Sequence, residues 1–339
     1  MLKRKLCEAR FKWELTCEGP LLIADGRYEK PESSNEQEKG KFPHNLFISR
    51  NEPKEFNNKS KLANPAHLAL RFYVPGTSLR GPFRAQAERI IRSLLPETAL
   101  PPRTACDPLD MDKDDGQSCS KRLDREVDKT QPGLAYKSAC PACKLFGCTG
   151  TASRIQFTDA DIVSGYSSVY RDMIGIDRFT GGVYQGEEGK GGANMRFHAL
   201  ENTRFKTTVT ITNFELWQLG LLAYVFRDFE GGLVPIGFGK TKGFGLVKGE
   251  VQNIALIYPK EKCNGKTVQH LGGLVSPEEG AIYGLESETA PAFTLKPEEL
   301  DPLSFYESFS VEIDKQGDFW AAVAPAFNRY LERLKEATA

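Results

Sequence analysis

An α+β fold with a split βαβ, ferredoxin-like sheet is predicted by three features of the sequence. Residues 10–23, RFKWELTCEGPLLI, alternate apolar and polar through Phe11, Trp13, Leu15 and Cys17, the pattern of a half-buried strand. Residues 204–214, RFKTTVTITNF, repeat that alternation more cleanly. Two helical segments, near 77–94 and 215–229, each follow a strand-like segment, giving strand–helix–strand twice with insertions between.

In chain order, Gly19 and Pro20 break the first strand, and residues 26–62 follow as a run of Glu, Lys, Asn and Ser. That composition buries little surface and predicts a mobile polar insertion. A strand at 67–74 runs into Pro75-Gly76, and Thr77 or Ser78 can cap a helix whose apolar face is Phe83, Ala87, Ile90, Ile91 and Leu94. Gly81 and Pro82 fall in its first turns, where amide groups lack an intrahelical partner. Residues 96–139 read as irregular, rich in Pro, Asp and Lys. A strand is predicted at 153–163 and a glycine-rich hairpin or loop at 172–195. ELWQLGLLAYVFRDF, 215–229, is apolar on nearly all sides and predicts a buried helix. A glycine-rich segment at 231–249 leads into a strand at Leu246-Val247, and the remainder holds loops and an amphipathic helix at 317–336.

The chain has 339 residues with 45 basic and 45 acidic side chains, a balance that disfavours a free-standing nucleic-acid binder but not a subunit with one basic face. The amino terminus lacks the apolar run of a signal peptide, and no stretch reaches the roughly 20 apolar residues of a membrane span. A cytoplasmic protein is expected, with its eight cysteines reduced or metal-bound.

SACPACKLFGCTG carries Cys140 and Cys143 as C-x2-C, followed by Cys148. One such pair needs a second for a tetrahedral zinc site, and Cys106 and Cys119 upstream can supply it, with Cys148 as an alternate. A four-thiolate zinc also explains how a stretch with little apolar content becomes ordered. A redox pair and unliganded thiols are the alternatives. Cys7, Cys17 and Cys263 stand apart and read as packing residues. In VPGTSLRGPFR, Arg80 and Arg84 lie one turn apart near a helix N-terminus; the pattern fits either an anion site or a capped surface helix. GGLVPIGFGKTKGFGLVKG interleaves Lys240, Lys242, Phe238 and Phe244 with glycines; it fits a nucleic-acid contact or a turn with core phenylalanines, and lacks Walker or dinucleotide spacing. DRFTGGVYQGEEGKGGANMRF, 177–197, reads as a projecting arm. The histidines, His44, His67, His198 and His270, form no cluster, and no nucleophile motif is present.

Taken in order, FYVPGTSLRGPFRAQAE, CPACKLFG and IGFGKTKGFGLVKG resemble the RAMP superfamily of CRISPR-associated proteins, most closely the repeated backbone subunit of type III effector complexes. GIDRFTGG, 175–182, is similar to the base of that family's thumb hairpin. The resemblance covers about 10–250. It implies an RRM-like palm over 1–250, with the polar insertion at 26–62, a zinc-knuckle insertion at 96–150 similar to that of the D and E branches, and a thumb hairpin at 172–198. Residues 251–339 then form a C-terminal extension. It further implies that Ser78, Arg80, Arg84, Lys240, Lys242, Arg178 and Phe179 meet RNA. The partners it implies are guide CRISPR RNA, target RNA and neighbouring effector subunits in a prokaryotic cytoplasm. Base pairing would read sequence while the protein reads backbone and shape.

Family members that cut target RNA carry an aspartate before Asn-Pro or Ser-Pro, where this chain has Leu62-Ala63-Asn64-Pro65. The carboxylate works with Mg2+ or Mn2+, a task a methyl group cannot perform. Ala63 therefore predicts a subunit unable to cut as written, through natural loss or an engineered change. Asp25 is a weak substitute. The rival readings are a guide-processing endoribonuclease using a histidine such as His67, and a purely structural zinc-bearing subunit.

Overall fold

The structure, a computed structural model, describes residues 3–27, 43–50, 71–110, 112, 116–128, 131–163, 165–184, 194–298 and 303–336. In chain order the elements are β1 (Glu8–Cys17), β2 (Tyr73–Val74), α1 (Gly76–Leu94), α2 (Cys119–Glu126), α3 (Pro132–Ser138) and α4 (Pro141–Phe146). They continue with β3 (Ile155–Phe157), β4 (Ala160–Ile162), β5 (Ser167–Ile174), β6 (Asn194–Glu201), β7 (Arg204–Thr212) and α5 (Leu216–Glu230). The last part holds β8 (Val247–Pro259), α6 (Leu271–Leu274), α7 (Pro277–Tyr283), β9 (Lys296–Glu298), β10 (Tyr306–Val311) and α8 (Gln316–Glu336).

An eight-stranded antiparallel sheet runs in the order β2-β4-β7-β1-β8-β10-β9, with β3 also paired to β7. Alternation along β1 sends Phe11, Trp13 and Leu15 into the core and leaves Arg10 and Lys12 exposed. The buried side meets α1 and α5 through rings. Phe83 of α1 stacks on Phe229 at 4.6 Å, and both meet Trp13 edge-on at 5.0 Å. Helix α5 is covered in turn by α8, which explains its apolar circumference. The two approach so closely at Gly220 that a Cβ there would lie 2.9 Å from both Phe327 Cβ and the Val323 carbonyl.

Several expectations are corrected. Helix α1 begins at Gly76 rather than behind a Thr77 or Ser78 cap; the Gly76 amide donates to the Asp159 carboxylate at 3.0 Å. The strand read as 153–163 is two short strands broken at Thr158-Asp159, because Asp159 turns away to reach α1 and Thr158 bonds to Thr207 and Thr208. Within the polar insertion at 26–62, Leu46 and Phe47 are fully buried, and bridges tie Ala24 to Phe47 and Ser49 to Phe72. A short apolar group is enough to anchor a segment whose average composition is polar. The segment read as irregular at 96–139 contains α2 and α3. Strand β8 runs unbroken across residue 250, and β10 and β9 extend the same sheet, so the C-terminal extension shares its core with the rest. Leu94, expected on the buried face of α1, is exposed at the last turn. Among the described residues, no helix is long and apolar enough to cross a membrane.

Candidate functional site

Loops and short helices bring Cys106, Cys119, Cys140 and Cys143 together, all buried, with their sulfurs within 4.8 Å of one another. The Cys106 and Cys143 sulfurs are 3.7 Å apart. A tetrahedron with metal–sulfur bonds of about 2.3 Å has edges of about 3.8 Å, so the thiols already sit at zinc-like spacing. The C-x2-C pair forms because Cys140 precedes α4 and its sulfur accepts from the Cys143 amide at 3.4 Å. The Cys119 sulfur accepts from the Cys140 amide at 3.3 Å, and the Cys140 sulfur from the Cys106 amide at 3.5 Å. Donors aimed at sulfur suit thiolates, and four sulfur donors in this shape can hold a metal ion such as zinc. Burial instead pushes the isolated Cys7 and Cys17 thiols up to about 12, which keeps them protonated packing groups. Cys148 is half-buried and its backbone exchanges hydrogen bonds with Thr151, and it stands outside the group of four.

The face of α1 that carries Arg80, Arg84, Glu88 and Arg92 lies along this cluster. Arg80 donates to the Phe146 carbonyl, and Arg84 to the Gly147 carbonyl at 3.1 Å and to the Cys143 sulfur at 3.4 Å. Arg92 holds the Cys106 carbonyl at 2.7 Å and that of Ala105 at 3.2 Å, while buried Glu88 pairs with both Arg84 and Arg92. Of the two readings of this helix start, an anion site and a capped surface helix, neither describes it fully: the Gly76 amide is taken by Asp159, and both arginines of the motif are engaged with protein. Burial lowers Arg80's affinity for its proton, reinforced by the charge on Arg84. Glu88 and Arg92, and Arg122 of α2, whose Nη2 lies 4.0 Å from the Cys119 sulfur, were missed by sequence reasoning, although the spacing of 80, 84, 88 and 92 at four-residue steps marks one helix face. On the inner side, the Tyr136 hydroxyl donates to Glu215, Gln218 Nε2 donates to the Tyr136 oxygen at 3.2 Å, and Arg154 lies 4.0 Å over the Tyr136 ring. These bonds fasten the insertion to the start of α5.

A different set of residues meets at the end of the sheet where β1 finishes and β8 begins. Strands β5 and β6 form a separate hairpin from Ser167 to Glu201, longer than the expected 172–198. Its described outer part is a tight turn in which the Asp177 carboxylate accepts from the Phe179 and Thr180 amides at 2.7 and 3.1 Å. That turn presents Arg178 and Phe179 outward, with Phe179 fully exposed at 101% and Ile176 at 64%. At the root, Phe197 of β6 packs on Phe238 of the glycine-rich loop with ring centres 5.0 Å apart. Phe244 is buried beside it, whereas Phe238 keeps one side open. Between them, a 3-10 turn at Lys240–Lys242 exposes both lysines and is flanked by Gly239 and Gly243 in left-handed conformation. Gly245 has φ +81° and lies so close to the Ile236 carbonyl that a Cβ would be 2.0 Å from that oxygen.

Comparison with known families agrees with this arrangement: a model of the RAMP superfamily matches residues 14–248, more than half of the chain. The chain belongs to the RAMP superfamily. No curated protein matches it. Membership makes it a CRISPR-associated protein of an RNA-binding class. The cysteine cluster, hairpin and lysine turn all lie inside the match, and β9, β10 and α8 lie beyond it.

The remaining site residues of this RAMP protein divide clearly. Asp25 is buried and paired with Arg27 through two side-chain bonds of 2.9 and 2.7 Å, plus the Arg27 amide at 3.0 Å. Burial alone would raise its pKa, but the Arg27 bonds and charge hold it below the usual carboxylate range. A carboxylate so committed is poorly placed to replace a catalytic one. Ala63, with its Leu62–Pro65 stretch, and His67 lie outside the described residues. Ser78 is half-buried in the first turn of α1, its amide donating to the Pro75 carbonyl at 2.9 Å. His198 is fully buried at the hairpin root, its Nδ1 accepting from the Phe47 amide at 3.2 Å and its Nε2 2.6 Å from the Ser168 hydroxyl.

Proposed function

We propose that this RAMP protein is a guide-RNA-binding backbone subunit of a type III CRISPR effector, with an RRM-like palm, a zinc-knuckle insertion and a thumb hairpin. The observation that carries this reading is that the hairpin bearing the exposed Arg178 and Phe179 packs, through Phe197 on Phe238, against the loop that holds the exposed Lys240–Lys242 turn. The lysines would meet guide phosphates, and Phe179 would stack on or displace a base, a contact of about 1–3 kcal/mol that tolerates any sequence. The partners are guide RNA, target RNA and neighbouring effector subunits. Arg80 and Arg84 fit this role less well, since protein carbonyls and a cysteine sulfur engage both side chains.

Cys106, Cys119, Cys140 and Cys143 would hold zinc as a structural ion, fixing the insertion against α1. Cleavage of target RNA in this reading needs Mg2+ or Mn2+ and an aspartate at position 63, where the chain has alanine. The first test is nuclease protection of RNA by the purified complex. Protected lengths stepped by a constant subunit repeat support a backbone subunit, and absence of protected RNA refutes it. Ala63→Asp should then confer metal-dependent cutting of bound target, leaving a 2′,3′-cyclic phosphate. No gain in a complex that binds target normally would remove position 63 from the cutting site.

A further inference from the structure

Four thiolates around a divalent ion carry a net charge of −2, and this cluster is buried. Such a charge is costly in a low-dielectric interior unless counter-charges lie against the sulfurs. Two arginines from two different helices meet that requirement. Arg84 comes from α1, its side chain only 18% exposed, and donates to the Cys143 sulfur at 3.4 Å. Arg122 comes from α2, is 7% exposed, and points its Nη2 at the Cys119 sulfur at 4.0 Å. Each is pinned by other bonds, Arg84 to Glu88 at 2.7 Å and Arg122 to Glu126 at 3.1 Å and the Ser138 carbonyl. Arg80 and Arg92 add positive charge along the same helix face, so with Glu88 the four residues of that face carry a net +2. The Nε of Arg122 has no hydrogen-bond partner among the described residues, a cost that a nearby anionic centre offsets.

We propose that Arg84 and Arg122 are the charge-balancing partners of the four-cysteine metal centre, so that the arginine face of α1 serves the metal and not the guide RNA. This rests on the zinc reading above. Each guanidinium draws electron density from the thiolate it faces, which stabilises the loaded centre and makes that sulfur a poorer nucleophile. The ion also becomes coupled to the orientation of α1, because Arg84 bridges the helix, the Gly147 carbonyl and Cys143. Removal of such an outer partner typically costs 10–100-fold in metal affinity.

The test uses the full chain with Arg84→Met, Arg84→Lys and Arg122→Met. Zinc content is measured first, then zinc affinity by chelator competition, then the rate at which iodoacetamide alkylates each cysteine of the zinc-loaded protein. Replacement of zinc by cobalt adds a thiolate-to-metal charge-transfer band as a spectroscopic readout. Arg84→Met should weaken zinc about 10–100-fold, speed alkylation at Cys143 above all, and shift the cobalt band to lower energy. Arg122→Met should do the same with Cys119 as the sensitive site, and Arg84→Lys should recover part of the affinity. A merely structural arginine would leave the band and the site-selectivity of alkylation unchanged. If the wild-type chain holds no zinc, the zinc reading itself fails, and this proposal with it. If it holds one zinc but Arg84→Met and Arg122→Met leave affinity within about twofold and alkylation unaltered, the zinc reading stands and the charge-balancing role is overturned.

Discussion

Around the cysteine-bearing insertion, charged side chains turn inward: Arg84 and Arg92 of α1 and Arg122 of α2 bond to carbonyls and sulfurs of their own chain. In the β5–β6 hairpin the direction reverses. Ile174, Ile176, Phe179, Val183 and Tyr184 stand exposed, and the Asp177 carboxylate closes the turn that carries Phe179. Both are additions to the same sheet, yet the first turns its charges onto a cluster able to hold a metal ion, whereas the second, among the described residues, leaves apolar surface exposed. One appendage is thus tied down by its own side chains, while the other, among the described residues, presents its apolar side chains to solvent.

The largest expected effect falls on the insertion. Cys140→Ser or Cys143→Ser should abolish stoichiometric metal and expose the 104–150 region to proteolysis, since metal in such sites contributes on the order of 10–16 kcal/mol of apparent folding free energy. Equal protease resistance with and without these changes would break the comparison.

Next in size is a pH effect at the root of the hairpin. Burial lowers the pKa of His198 to about 4, from 6.5 in an exposed state, and its Nδ1 is already occupied as an acceptor from the Phe47 amide. Between these two values the unfolded chain binds more protons than the folded one, so stability falls as pH drops from 6.5 to about 4. The contribution is about 3 kcal/mol at most. Urea midpoints across this range should fall for the wild type and fall less for His198→Gln; parallel curves would remove His198 as the cause.

Phe179→Ala should leave urea stability within about 0.5 kcal/mol, because the ring touches no core, while weakening guide RNA by about 1–3 kcal/mol. Loss of stability without loss of RNA affinity would reverse the assignment of the arm. The smallest effect belongs to Lys240→Ala and Lys242→Ala. Each should reduce the salt slope of guide binding by about 0.7–0.9 with the fold intact. An unchanged slope would make these lysines solvated surface.

The sequence made much of this visible. Alternation at Phe11, Trp13 and Leu15 and at 204–214 marked two central strands, and the apolar 215–229 run marked the helix between sheet and α8. Spacing of Cys140 and Cys143 pointed to a second pair upstream, and the structure brings Cys106 and Cys119 to them. The destination of Arg80 and Arg84 was hidden, because a four-residue step looks alike whether the face meets water, phosphate or thiolate. Leu46 and Phe47 were hidden by averaging over a polar segment. Strands β9 and β10 were hidden because pairing across long loops leaves little local pattern, as with the pairing of Ser310 to Ala255.

The most direct measurement is amide hydrogen exchange on one preparation, with and without a zinc chelator and with and without guide RNA. The account predicts that chelation deprotects 104–150 and the α1 face at Arg80–Arg92 while leaving 167–184 and 238–244 unchanged. Guide RNA should protect 174–184 and 238–244 and leave the insertion as it was. Protection of the insertion by RNA, together with an arm that responds to chelator alone, would contradict the division of roles between the two appendages.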